Sequence, residues 1–127
     1  YELGVPRSIV SQLLQLSNLF IFPTISENCP LILLEAMLSK TLLILNQDTP
    51  VLKEFGQENA LYFNFSGLDH RTEWTDKDRY LEDVAKIIVS EFQTNKALKA
   101  SNRAKQQFNY DTLFKTQLQP LFNEYVN

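Results

Sequence analysis

Cysteine, histidine and charge of one sign are all scarce in this sequence, and each scarcity removes a class of function. Cys29 is the only cysteine, so no intrachain disulfide can form and a reducing, cytoplasmic compartment is the expectation. Within the fold, Cys29 reads as a small buried hydrophobe. His70 is the only histidine, so no second imidazole exists to build a metal site. It stands among Asp69, Arg71 and Glu73 and reads as a solvated loop residue, with Trp74 anchoring that loop. The 12 basic and 15 acidic residues give a net charge of -3, which offers no broad attraction to nucleic acid or to an anionic membrane. No apolar run approaches the length of a membrane span. What remains is the composition of an ordinary globular domain: 127 residues, 44% hydrophobic and 21% charged, enough for one core.

The hydrophobic pattern organises the chain. Ile9, Leu13, Leu14 and Leu16 predict an amphipathic helix over residues 8–17, capped by Ser8. Leu19-Phe20-Ile21-Phe22 and Leu42-Leu43-Ile44-Leu45 are continuous apolar runs, the mark of strands buried on both faces of a parallel sheet. Between them Pro30 suits the first turn of a helix reaching about Lys40, with Leu31, Leu34 and Leu38 as its buried stripe. A short helix over 50–55 is closed by Gly56, and a third strand covers 60–65. A polar loop fills 66–76. Helices follow over 77–92 (Leu81, Val84, Ile87 and Ile88 inward), 95–108 and 111–125, the last kinked at Pro120. Phe114, Leu118, Leu121 and Tyr125 share a face of it. The aromatic set Phe108, Tyr110, Phe114, Phe122 and Tyr125 reads as packing, and Lys99, Arg103 and Lys105 as a solvated helix face. Alternation of this kind predicts an α/β, Rossmann-like parallel sheet with flanking helices, right-handed crossovers and extra helices at the end.

The most informative pair is Glu27 and Glu35, separated by seven residues. In such sheets ligands bind outside the carboxyl ends of the strands, beside helix N-termini. Glu27 follows the first strand, and Pro30 opens the helix on which Glu35 lies. A helix start presents free N–H groups and the positive end of a dipole, a suitable seat for a diphosphate. Glu35 lies roughly 7–8 Å along the axis from Pro30 at the usual rise per residue. One acid per sugar ring, with backbone amides on the phosphates, suits a nucleotide-sugar.

The run from Phe22-Pro23-Thr24 through Glu27 to Leu34-Glu35-Ala36-Met37 resembles the signature of GT-B glycosyltransferases of family four and its relatives, retaining enzymes with an E-x7-E motif. Their common form is roughly P-S-x-x-E-G-F-G-x-x-x-L-E-A-M-A-x-G-x-P-V-I. This chain follows it at Pro23, Glu27, Leu34, Glu35, Ala36 and Met37. The 41–46 and 60–63 segments are similar to the family's neighbouring strands, and residues 13–19 to the approach to the motif. The resemblance implies that residues 1–127 form a single, partial C-terminal, donor-binding domain from the second half of a GT-B fold. The N-terminal acceptor domain would be absent, as Tyr1-Glu2-Leu3-Gly4, reading like a strand leaving into a turn, also suggests. It implies that Glu27 contacts the transferred sugar and is the candidate catalytic residue. Asn28, Cys29, Leu31 and Ile32 would line sugar and diphosphate, partly through backbone N–H groups, and Glu35 would hold the ribose. A nucleotide-sugar is the implied donor, with no metal or other cofactor. Docking of the parent protein on a membrane would belong to the other domain.

The departures from the family form are Asn28, Pro30 and Lys40, which stand where glycines are usual. Pro30 has no N–H to give a ligand. The family's Arg/Lys pair for the diphosphate lies well upstream of this region, and no counterpart is visible here. Two alternatives therefore stand beside a transferase: a degenerate, non-catalytic nucleotide-sugar-binding module, and a GT-B-fold epimerase or phosphorylase. The last two would need acid/base groups or a phosphate or pyridoxal site, which this segment does not display.

Overall fold

A computed structural model describes residues 4–65, 77–120 and 123. The expected loop over 66–76, with His70 and Trp74, lies outside the described residues, as do Leu121, Phe122 and Tyr125. The elements are α1 (Arg7–Leu16), β1 (Leu19–Phe22), α2 (Leu31–Leu38), β2 (Leu42–Asn46), α3 (Pro50–Gly56), a 3₁₀ turn (Gln57–Asn59), β3 (Leu61–Phe63), α4 (Lys77–Glu91), α5 (Lys96–Gln107) and α6 (Tyr110–Leu113), which runs on into a π-helical turn (Phe114–Leu118).

The three strands form one parallel sheet in the order β1-β2-β3, with Leu19 opposite Leu42 and Ile44 opposite Leu61. Side chains alternate across it. Leu43 and Leu45 of β2, with Phe20 and Phe22 of β1, join Leu14, Leu33, Ala36, Met37, Leu52, Phe55, Ala100 and Ala104 in one core. Leu42, Ile44 and Leu61 face the other way, against Leu19, Phe63, Phe65 and Ile88 of α4. Helices thus flank both faces of the sheet, a Rossmann-like α/β arrangement. Among the described residues, no helix is long and apolar enough to cross a membrane.

Every residue of β2 is buried, as its composition demands. β1 has the same composition but lies at the edge of the sheet among the described residues, and its Ile21 is 51% exposed. A continuous apolar run marks a strand fit for burial on both sides; its place in the sheet decides whether it receives that burial.

α2 departs further from expectation. Its buried side chains are Leu33, Ala36 and Met37, while Leu31 is 60% and Leu38 47% exposed. The segment Leu31-Ile32-Leu33-Leu34-Glu35-Ala36-Met37-Leu38 is apolar nearly all round, so its pattern fixes no single face. The rotation is set by what covers it. α5 packs on it through Ala100, Ser101 and Ala104, all buried and small enough for close approach, and Ser101 Oγ donates to Leu38 O at 3.4 Å.

Other expectations shift for local reasons. α1 begins at Arg7 rather than at a Ser8 cap, because the extended backbone of Pro6 leads directly into the helix and its carbonyl accepts from Ile9 and Val10. Only Leu14 of its apolar residues is buried. In α4, Ile88 packs inward and Val84 is half-buried, but Leu81 and Ile87 are exposed. Asn109 caps α6, its side chain accepting from Thr112 N at 2.8 Å, so that helix starts one residue early. Before Pro120 the helix widens, with Gln119 N–H reaching back five residues to Phe114 O. Leu118 is exposed. Of the aromatic set, Phe108 stacks on Phe55 at 4.7 Å between ring centroids, whereas Tyr110 is exposed and touches Phe114.

Arg103 is not part of a solvated face. Its Nε donates to Phe55 O and its Nη2 to Glu54 O, each at 3.0 Å, and its guanidinium lies over the Phe108 ring. A cation on the last carbonyls of α3 is favoured by their partial negative charge. Gly56 keeps helical dihedrals, and the chain leaves α3 through Gln57, which holds a positive φ of 45°. Gly56 is required by space instead. A Cβ there would lie 2.6 Å from the Tyr62 hydroxyl and 3.0 Å from Leu45 Cδ1 and Ala60 Cβ.

Candidate functional site

The loop from Pro23 to Pro30 leaves the carboxyl end of β1, and buried polar groups from the next crossover hold it. Thr24 O accepts from Thr49 Oγ1 at 2.7 Å and from Asn46 Nδ2 at 3.2 Å. Asn46 and Thr49 are both buried, at the end of β2 and the start of α3. Asn46 Oδ1 in turn accepts from Asp48 N at 3.1 Å. Thr49 stands at the N-cap of α3, but its hydroxyl serves the loop rather than the helix. Buried amides and hydroxyls must find partners, and here they find them in the neighbouring loop, which fixes its path.

The loop closes on Pro30, which is buried and holds φ -78° and ψ 82°, an inverse γ-turn in which Leu31 N–H donates to Cys29 O at 2.9 Å. Leu33 N–H and Leu34 N–H both go to Pro30 O, at 2.9 and 3.4 Å. Pro30 has no N–H. Of the first-turn amides of α2, that of Ile32 alone lacks a backbone acceptor among the described residues. The expected row of free donors is therefore reduced to one, and the Leu31 amide is already engaged.

The sequence-derived residues are placed as follows. Glu27 is half-buried and makes no hydrogen bond or ion pair among the described residues. Asn28 is exposed. Cys29 is exposed too, against the expectation of a buried hydrophobe, because Pro30 takes the interior position beside it. The Leu31 side chain points to solvent, and that of Ile32 packs on the core. Glu35, the only polar residue of α2, lines a cleft of about 340 Å³ between α1 and α2, with Arg7, Ser11, Leu14, Gln15, Leu38 and Ser39. Its carboxylate accepts a charged hydrogen bond from Arg7 Nη2. Glu27 does not line this cleft, so the two acids serve different surfaces: Glu35 the cleft, Glu27 the loop above the strands.

Sequence reasoning missed Arg7. The pair joins residues 28 positions apart, on helices whose packing no local pattern declares. It also took Lys40 only as a departure from glycine. Lys40 has φ 61°, and its N–H and that of Thr41 bond to Met37 O and Ala36 O at 3.1 and 3.4 Å. This is a Schellman closure of α2 in which lysine occupies the left-handed position that glycine prefers. The Thr41 and Ser39 hydroxyls satisfy Ala36 O and Glu35 O, at 3.0 and 2.9 Å. The helix bearing Glu35 is thus fixed at both ends.

Among the described residues, no group of three or more histidine, cysteine, aspartate or glutamate side chains could hold a metal ion. Comparison of the chain with protein-family models, with curated proteins and with solved structures returns no match.

Proposed function

We propose that this chain is the donor-binding part of a retaining glycosyltransferase of the GT-B kind, taking a nucleotide-sugar whose sugar the parent protein transfers to an acceptor bound elsewhere. One observation carries the reading. Two acids are held on separate surfaces by one loop and the helix that follows it: Glu27 lies in the loop after the carboxyl end of β1, anchored by Thr49 and Asn46, and Glu35 lies further along α2 in an open cleft. Carboxylates placed apart in this way suit two hydroxyl-bearing rings joined by a diphosphate. In this reading Glu35 accepts from the ribose diol, Glu27 from the transferred sugar, and the Ile32 amide meets a phosphate oxygen. Charge developing on the leaving diphosphate is stabilised at the start of α2.

The test is titration of the folded chain with UDP-glucose and GDP-mannose, followed by amide chemical shifts. Shifts centred on Ile32 and Glu35 that vanish in Glu35→Ala support the reading. A well-dispersed spectrum that does not move at millimolar ligand sinks it.

A second reading has its own support. Among the described residues, the turn at Pro30 leaves the first turn of α2 a single amide without a backbone acceptor, where a diphosphate would want several, which favours a module that binds nucleotide-sugar without turnover. Donor hydrolysis or transfer by the parent protein separates the two: binding without either marks the module.

A further inference from the structure

Arg7, Ser11 and Gln15 follow one another at spacings of four, so they form a single polar stripe along α1, and all three line the cleft that contains Glu35. The opposite wall gives Glu35 and Ser39, and Leu14 and Leu38 supply the apolar part. Within this set Arg7 is the one cation and Glu35 the one anion. The Arg7 side chain is 81% exposed and that of Glu35 26%. A guanidinium so well solvated gives up an ion-pair partner easily, because exposed pairs contribute little.

A ligand whose vicinal hydroxyls take the Glu35 carboxylate has to displace Arg7. The displaced guanidinium remains on the rim of the same cleft, a planar fork suited to two oxygens of a phosphate. We propose that Arg7 is the specificity-determining residue of this cleft. It occupies Glu35 while the cleft is empty, and transfers to the phosphate of a nucleotide whose ribose hydroxyls replace it. The inference rests on the nucleotide-sugar reading given above and adds a basic group that the motif itself lacks. It also assigns a selection rule. A nucleoside must break the Arg7–Glu35 pair with nothing offered to Arg7 in return, whereas a nucleotide offers a new partner.

The rule makes Arg7→Gln act with opposite sign on two ligands. Binding of UDP and of uridine is measured by amide shifts on the whole chain, wild type against Arg7→Gln, with GDP and guanosine as a second pair. In the variant, uridine binds about two- to five-fold more tightly, because the competing cation is gone. UDP binds about five-fold or more weakly, because the charged contact to phosphate is lost. Arg7→Lys, which keeps the charge but not the fork, falls between for UDP. If UDP and uridine move in the same direction, or neither moves, while the wild type binds UDP, the role of Arg7 is overturned and the nucleotide reading stands. If the folded wild type binds neither UDP nor GDP, both fall together.

Discussion

Thr49 donates its hydroxyl to the carbonyl of Thr24 at 2.7 Å, across 25 positions of sequence, and so ties the start of α3 to the loop that carries Glu27. Asn46 adds a second donor to the same oxygen. Removing one donor leaves the carbonyl partly satisfied. Thr49→Val therefore lowers the unfolding free energy by about 1 kcal/mol in urea titration. Asn46→Ala, which also deprives Asp48 N of its acceptor, costs about 1–3 kcal/mol. If the double variant loses no more than Thr49→Val alone, the two donors do not share this task.

Among the described residues, two other than glycine hold positive φ, Lys40 at 61° and Gln57 at 45°. A side chain in the left-handed region is disfavoured by roughly 1–2 kcal/mol, and glycine relieves that strain while adding freedom to the unfolded chain. Lys40→Gly and Gln57→Gly are each expected to raise the thermal midpoint, by about 0.5–1 kcal/mol in stability. Gly56→Ala, one residue away from Gln57, acts in the opposite sense, since its methyl meets Tyr62, Ala60 and Leu45. Calorimetry on the three variants checks the contrast in sign.

Cys29 is exposed in the loop beside Glu27. A thiol-exchange reagent should modify the native protein to completion, at a rate close to that in denaturant. Slow or partial reaction would place the thiol inside. Because Cys29 stands between Glu27 and α2, a bound nucleotide-sugar is expected to slow the reaction measurably.

Tyr62 connects stability to alkaline pH. Burial pushes its hydroxyl from 10.0 up to about 12, with Arg103 opposing and Glu58 assisting. The folded state prefers the neutral phenol. That contribution is fully present below pH 10 and is lost as pH rises from 10 toward 12. In Tyr62→Phe the fall in stability over this interval becomes shallower than in the wild type. Parallel pH profiles for the two proteins would contradict the assignment.

The elements themselves were legible from composition, and their surroundings were not. Leu42-Leu43-Ile44-Leu45 announced a buried strand and is one. The similar run at Leu19 to Phe22 announced the same thing, and Ile21 is open to solvent because its strand lies at the sheet edge. α2 was visible from Pro30 onward, but an apolar octet cannot say which side is inward until Ala100 and Ala104 are laid on it. At the site, Glu27 and Glu35 were visible through their spacing. Arg7 was invisible because its meaning lies in a contact between two helices. The Leu31 amide was expected to be free, and it is consumed because a proline at that turn folds the chain back on Cys29 O. Short-range chemistry reads well from a sequence; faces, edges and partners need the packing.

The small side chains of α5 have a kinetic meaning as well. Leu33, Ala36 and Met37 complete their burial alongside Ala100 and Ala104, and Ser101 meets Leu38 across 63 positions of chain. Closing a loop of that size is entropically slow compared with laying β1 against β2. The sheet can therefore assemble while α2 still lacks its cover. A ribosome-bound chain that has emerged only as far as β3 would own both glutamates and every residue that lines the cleft, but not the helix that covers Leu33, Ala36 and Met37.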